Sequence, residues 1–317
     1  MKEVQHQPLI PPLLAIAFAI LAVSTASILI RYAQADAPSL VIAAYRLAIA
    51  GIILAPIALM NYKEELKELS KKSLFLAMLS GFFLAIHFAT WITSLEYTTV
   101  ASSVVLVSTA PIWVALLAPF TIRESLTKPI LIGMSLTLIG GLVIGISDSC
   151  NLIGNQLFCP SLAKFVSGEA FLGDFLALVG ALAAAFYLLI GRSVRRNLSL
   201  VPYVFLVYSM AAIALVLFTL LANEPLFGYA PRTYLWFVLL ALFPQLIGHS
   251  TYNWALKYLS AAYVSISLLG EPIGTTILAY FLLKETPSSI KIIGAILILI
   301  GILIASKREK LLSEPVG

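Results

Sequence analysis

Residues 95–113, LEYTTVASSVVLVSTAPIW, and residues 256–274, LKYLSAAYVSISLLGEPIG, are two versions of one pattern set 161 residues apart. Leu95 falls on Leu256, Tyr97 on Tyr258, Ala101 on Ala262, Pro111 on Pro272 and Ile112 on Ile273. The register runs on without a gap. Phe120 meets Phe281, Glu124 meets Glu285, Gly133 meets Gly294 and Gly140 meets Gly301, while further back Arg31 meets Arg192. An apolar composition matches Leu with Ile by chance, but it does not align Pro, Glu, Tyr and Gly in a single register. The chain is an internal duplication.

Around this pattern the sequence is apolar: 61% of its 317 residues are hydrophobic and 11% are charged, against roughly 25% charged in soluble domains. A water-soluble surface of this size cannot be built from so few charges. The apolar runs are about twenty residues long, enough to cross roughly 30 Å of hydrocarbon as a helix. They lack the alternation of a barrel strand and are about twice its length. Ten spans are expected, at 10–31, 38–60, 73–94, 98–121, 129–147, 172–192, 201–222, 233–254, 260–282 and 289–306. The first run is longer than a signal-peptide core and ends in Arg31 without a small-residue cleavage site, so it counts as a span. The fold class is therefore all-α integral membrane. The first repeat covers 1–147, a loop 148–170, the second repeat 171–306 and a basic tail 307–317.

Five spans is an odd number, so the second repeat enters the membrane from the opposite side and the halves are inverted repeats. With the amino terminus inside, the inner segments hold Lys63, Lys67, Lys71, Lys72, Arg123, Lys128, Arg192, Arg195 and Arg196, and the outer ones Arg31, Lys164, Arg232, Lys284 and Lys291. The excess of positive charge places both termini in the cytoplasm of a multi-pass protein of the cell membrane. The net charge of +5 is read as this orienting signal and not as a nucleic-acid footprint. The only two cysteines, Cys150 and Cys159, then lie in the long outer loop, where an oxidising compartment suggests a disulfide; two free thiols or a metal site are the alternatives.

The stretch Trp91-Ile-Thr-Ser-Leu-Glu-Tyr-Thr-Thr-Val-Ala-Ser-Ser, with Ala110-Pro111-Ile112-Trp113, Arg123-Glu124 and Gly133, resembles the EamA-type repeat of the drug/metabolite transporter superfamily. The second copy is clearer, in Trp254-Ala-Leu-Lys-Tyr-Leu-Ser-Ala-Ala, Glu271-Pro272, Lys284-Glu285, Gly294 and Gly301, and Tyr45-Arg46 is similar to the family's usual arginine in span 2. The resemblance implies a ten-helix carrier with a central cavity lined mainly by spans 1, 3, 4, 6, 8 and 9. Relatives export or exchange amino acids, other metabolites and drugs, and some carry nucleotide sugars or lipid-linked sugars.

Ionisable groups inside a membrane are costly and face a cavity or a partner. Arg46, about eight residues into span 2, either binds a substrate carboxylate or fixes packing; packing is favoured, because the resemblance implies that this arginine is a family-wide feature across differing substrates. Glu271 lies about 16 Å into span 9 at 1.5 Å per residue, close to mid-membrane. It sits in Gly270-Glu271-Pro272-Ile273-Gly274, where Pro272 has no N–H to offer Leu268 and the glycines let the backbone bend. Pro111 marks the corresponding break in the first half. Glu271 either takes up a proton or holds a substrate amine, or it is protonated and supports the kink. Its twin is Ala110, so the charge breaks the symmetry. His87 and Trp91 stand one turn apart in span 3, and Gln245, His249 and Asn253 form an i, i+4, i+8 stripe in span 8. These groups either line the cavity or bond between helices. Tyr187, Tyr252 and Trp254 are candidate aromatic walls. Gly141-Leu-Val-Ile-Gly145 is a GxxxG match suited to close packing or a dimer contact.

There is no phosphate loop, HExxH or G-x-S-x-G, and three histidines are too few and scattered for a metal cluster. No catalytic residue, metal or cofactor is expected. The expectation is a secondary transporter, not an enzyme, moving a small metabolite across the lipid bilayer by alternating access. Amino acids or related metabolites are the first choice, and a drug or a lipid-linked or nucleotide sugar the second. A proton is a candidate co-substrate and a homodimer a candidate assembly. A non-transporting membrane scaffold is the rival of another class.

Overall fold

The computed structural model describes residues 10–98, 100–149, 151–153, 156–158, 169–283 and 288–313. They form ten helical spans in two sets of five. Helix α1 is split into α1a (Pro12–Val23) and α1b (Ala26–Gln34). Helices α2 (Ser39–Asn61) and α3 (Lys71–Tyr97) are continuous, and α4 is split into α4a (Val100–Val107) and α4b (Ala110–Thr121). Helix α5 (Lys128–Ser149) ends the first half. The second half holds α6 (Glu169–Arg195), α7 (Leu200–Leu221), α8 (Pro231–Ala255), a split α9 and α10 (Ser289–Ser313). The pieces of α9 are α9a (Ala261–Leu268) and α9b (Glu271–Leu283). Seven of these spans are long and apolar enough to cross a membrane, and three shorter apolar helices, 105–121, 128–144 and 292–307, complete the set. Between the halves a short antiparallel hairpin pairs β1 (Asn151–Ile153) with β2 (Gln156–Phe158), with Asn151 opposite Phe158. The expected Cys150–Cys159 pairing lies outside the described residues.

The burial pattern reverses that of a soluble protein. Large apolar side chains such as Phe18, Ile52, Met60 and Phe120 point outward, while Arg46, Gln245 and Asn253 are fully enclosed. A bilayer replaces water as the solvent for the outer face, so polar groups have to be satisfied inside.

The contacts between helices carry the symmetry. Under the 161-residue register α3 corresponds to α8 and α6 to α1; α3 packs on α6, and α8 packs on α1. The pairs α2–α7, α4–α9 and α5–α10 map onto themselves. The α5–α10 contact is the sharpest case. A Cβ added to Gly133 would lie 2.5 Å from the Gly301 carbonyl oxygen, and one on Gly140 would lie 2.6 Å from that of Gly294. Gly133 and Gly294 are twins, as are Gly140 and Gly301, so each contact is the image of the other. The helices run antiparallel, as an inverted repeat requires. Gly141 of the GxxxG match plays no part here, since a Cβ on it would meet nothing within 4 Å. The close approach uses the glycine one residue earlier.

Helix ends are tied by carboxylates that complement the positive N-terminal dipole. The Ser39 N–H and hydroxyl at the start of α2 donate to Glu96 Oε1 at 3.3 and 2.5 Å. At the start of α7, the twin of α2, the Ser199 N–H donates to Glu65 Oε1 at 2.7 Å.

The breaks in α4 and α9 fall at corresponding places. Ala110-Pro111 opens α4b, and Glu271-Pro272 opens α9b. At each break the chain tightens into bonds three residues apart, from Thr109 N–H to Leu106 O (3.1 Å) and from Gly270 N–H to Ser267 O (3.0 Å). Proline fits the first turn of a helix, where its missing N–H costs nothing. The break in α1 was not expected. There the Ser24 hydroxyl donates to Ile20 O (2.6 Å) and the Thr25 hydroxyl to Ala22 O (2.7 Å), competing with the helical ladder. This bend is pressed into α9: the Ser24 hydroxyl also donates to the Glu271 carbonyl (3.0 Å), and Thr275 Oγ1 donates to Ser24 O (3.0 Å).

Gly274 makes this crossing possible. A Cβ there would fall 2.1 Å from Ser24 Oγ and 2.7 Å from Ser24 Cβ. Gly274→Ala is expected to destabilise the protein by about 1–3 kcal/mol through overpacking. Gly141→Ala, with open space around it, should be neutral or gain up to about 1 kcal/mol of helix propensity. Thermal unfolding of both variants in one detergent checks the contrast; equal midpoints would contradict the α1–α9 crossing.

Candidate functional site

A cavity of about 90 Å³ lies where the three broken helices meet. Its walls come from α1, α3, α4, α6, α8 and α9, the six helices the resemblance implied, and in addition from α2 through Arg46. Both twin breaks border it, through Ala110 and Pro111 in α4 and through Leu269 and Glu271 in α9.

Arg46 is wholly buried. Its Nε donates to Gln245 Oε1 at 2.8 Å, and its Cζ sits 4.2 Å from the centroid of the Phe88 ring, a cation–π contact. Its two terminal nitrogens, Nη1 and Nη2, have no hydrogen-bond partner. Glu271 opens α9b, and its Oε1 is 3.4 Å from the Ser27 hydroxyl of α1b. Arg46 and Glu271 border one cavity without forming an ion pair.

The aromatic groups are held from behind. His87 Nδ1 lies 2.9 Å from the Gly180 carbonyl of α6, and the ring stacks on Trp91 at 5.8 Å and 11°. Phe88 touches His249 edge-on at 5.3 Å, and His249 meets Tyr252 at 6.4 Å. Asn253 Nδ2 donates to the Tyr187 hydroxyl (2.5 Å) and to the His249 carbonyl (2.9 Å), which fixes both neighbours.

Helix α8 does not run as a plain α-helix behind this site. Residues Ala241–His249, with Pro244 inside, wind as a π-helix, whose bonds skip five residues instead of four. The expected stripe at spacing four therefore divides. His249 reaches the cavity wall, whereas Gln245 holds Arg46 and Asn253 holds Tyr187. Trp254 packs on Tyr258 at 4.8 Å, away from the cavity.

At the end of the bundle that carries Arg192, Arg195 and Arg196, one carboxylate joins the two halves. Glu124, just past α4b, accepts from Arg192 Nε (2.6 Å) and Arg196 Nη2 (3.3 Å) through Oε1, and from the Ala261 N–H (3.1 Å) through Oε2. Arg192 also donates to the carbonyls of Leu256 (2.6 Å) and Lys257 (3.1 Å). The end of α6, the exit of α8 and the start of α9a are thereby fastened to the first repeat. At the opposite end Arg232 forms a paired contact with Asp36, Nε to Oδ2 at 3.1 Å and Nη2 to Oδ1 at 3.2 Å. The Arg232 guanidinium and the Thr233 hydroxyl hold the Asp36 carboxyl below its ordinary value.

A model of the EamA-like transporter family matches residues 10–146 and again residues 171–307, offset by 161 residues at both ends. The chain belongs to this family. A relative from Bacillus subtilis (strain 168), described as the uncharacterized transporter YyaM, is 24% identical over 272 residues, covering 83% of each chain. One from Clostridium kluyveri, also described as an uncharacterized transporter, is 26% identical over 270 residues, covering 83% of this chain and 81% of the relative. A solved crystal structure with 18% identity superposes with a TM-score of 0.73 over 96% of this chain and 99% of that one, sharing the fold.

Of the residues singled out in the sequence of this EamA-like transporter, Glu271, Arg46, His87, Trp91, His249, Tyr187 and Tyr252 border the cavity. Gln245 and Asn253 stand behind it. Of the break residues, Pro111 borders it too, Gly270 forms the break in α9, Pro272 sits in the first turn of α9b and Gly274 is spent on the contact with Ser24. Ser265 of α9a and Ser108 at the α4 break border the cavity without having been singled out; nothing in their spacing distinguishes them from the other serines.

The Glu124–Arg192 pair is largely enclosed, with side chains 18% and 15% exposed. A double-mutant cycle of Glu124→Ala and Arg192→Ala is expected to give a coupling energy of about 1–3 kcal/mol in unfolding free energy. Strict additivity would mean that the pair does not bind the halves together.

Proposed function

We propose that this transporter exports amino acids or closely related metabolites by alternating access, with the arginine-rich end and both termini in the cytoplasm. The observation that carries the reading is Glu271: a carboxylate at a helix break, bordering a cavity shared by both repeats. A backbone interrupted at membrane depth is tolerated where it lines a cavity, and transporters commonly place substrate and coupling-ion sites there. Glu271 is suited to hold a substrate ammonium group or a proton, and the two uses compete for one pair of oxygens. That competition supplies coupling between metabolite and proton. The small cavity favours a compact solute over a lipid-linked sugar.

Alternating access adds a demand on the ends. For the cavity to open toward the arginine-rich side, the bonds of Glu124 to Arg192, Arg196 and Ala261 have to part, since they fasten the first repeat to the α8–α9 connection. For it to open on the far side, contacts such as Asp36–Arg232 have to yield instead. The exposed Asp36–Arg232 pair contributes little, while the more enclosed Glu124–Arg192 pair is the stronger of the two ties.

The test is a panel of radiolabelled amino acids and metabolites in proteoliposomes, with and without a pH gradient. Wild-type protein should move at least one amino acid and respond to the gradient. Glu271→Gln should abolish net transport or remove its dependence on the gradient. Full gradient-driven transport by Glu271→Gln would remove Glu271 from the mechanism.

A further inference from the structure

The cavity has a pattern of unmet bonding that Glu271 does not explain. Among its bordering residues, the buried side-chain polar atoms without a partner are Arg46 Nη1 and Nη2, Trp91 Nε1 and the Tyr252 hydroxyl. Each of these carries a hydrogen to donate. A buried donor left unpaired costs roughly 1–3 kcal/mol, and more when it is charged. Such groups collected around one space describe the complement of an acceptor.

Arg46 is also pre-aimed. Gln245 Oε1 holds its Nε, and the Phe88 ring supports its face, so the guanidinium is fixed on two sides. What it leaves unused is the pair Nη1 and Nη2. A planar fork of two N–H groups matches the two oxygens of a carboxylate and binds it through parallel, charge-assisted bonds. Gln245, being neutral, orients the arginine without consuming its charge. Glu271 in the same cavity disfavours a multiply charged anion and favours a group with a single negative charge.

We infer that Arg46 is the anchor for the carboxylate of the transported solute, and that a free carboxylate is required for recognition. This rests on reading the cavity as the transport site. It assigns Arg46 a direct contact with the solute in place of the packing role favoured by sequence alone.

The experiment measures binding to the purified full-length protein in nanodiscs by calorimetry. The probes are the free amino acids, the carboxamide of each one that binds, propionate, inorganic phosphate and chloride. The variants are Arg46→Lys, which keeps a charge but loses the fork, and Gln245→Glu, which keeps Arg46 but gives it an internal carboxylate partner. Wild-type protein should bind acids roughly ten- to a hundredfold more tightly than their carboxamides. Both variants should lose most of that preference while their unfolding midpoints show them folded. If only one variant folds, its acid-to-amide ratio decides. If neither folds, the wild-type ratio does, because a packing role gives no reason for an acid preference. Equal binding of acid and amide by the wild-type protein overturns the anchor and leaves the proposed transport of amino acids standing. Propionate bound in an Arg46-dependent way, with no amino acid bound, upholds the anchor and removes the amino-acid reading. Binding of phosphate or chloride alone, or of none of the probes, overturns the inference.

Discussion

Hydrocarbon offers no hydrogen bonds, and the rest of this structure follows from that restriction. A helix that crosses the bilayer has to satisfy its own backbone, so any interruption must be placed where protein or enclosed polar groups can take over. The three interrupted helices, α1, α4 and α9, are broken at the cavity. The same pressure explains the company kept by Ser24. Its hydroxyl serves the Ile20 and Glu271 carbonyls at once, at the point where two bends cross. Many polar side chains elsewhere in the spans find partners inside, as in the Ser80–Tyr203 bond (2.7 Å) and the Ser94–Ser103 bond (2.6 Å), although Trp113 Nε1, Gln245 Nε2 and Asn253 Oδ1 do not.

Against that background, the unpaired donors that border the cavity carry the information. Packing in a bundle of this kind tolerates few unpaired donors, and Arg46 keeps two. Burying a charge without a counter-charge is costly unless other groups compensate. Phe88, Gln245 and the attraction of Glu271 in the same cavity offset part of that cost from the protein side. The cavity thus has an electrostatic demand of one sign beside Arg46 and of the other beside Glu271, on residues from different repeats and without symmetry partners.

Much of the architecture was legible because it depends on spacing. Pro111 with Pro272, and the four glycines at 133, 140, 294 and 301, announce the duplication, although the GxxxG match places the close approach at Gly141 instead of Gly140. Pro is restrictive and Gly small in every context, so their positions translate directly into breaks and close approaches. The bend in α1 was not legible. Ser and Thr bond back to helix carbonyls in straight helices too, so Ser24–Thr25 did not stand out until the structure set it against α9 at Gly274. The π-helical turn of α8 was hidden for a related reason. Pro244 permits it, yet α2 also carries an internal proline, Pro56, and remains α-helical. That one turn decides why His249 reaches the cavity while Gln245 and Asn253 stand behind it. Spacing reveals what the chain does alone; the roles within the stripe were set by neighbours distant in sequence.

The glycine contact between α5 and α10 has a consequence for origins. Gly133 against Gly301 and Gly140 against Gly294 are one contact made twice, each the image of the other. Two unlinked copies of a single five-helix chain, inserted in opposite directions, could make the same pair of contacts with no change of sequence. The joined protein therefore retains an interface of the kind that a half-length ancestor would have needed to associate with its own upside-down sibling. Fusing the copies freed each half to diverge, and an arginine on one side and a glutamate on the other are divergences that an unfused pair of identical chains could not have held separately.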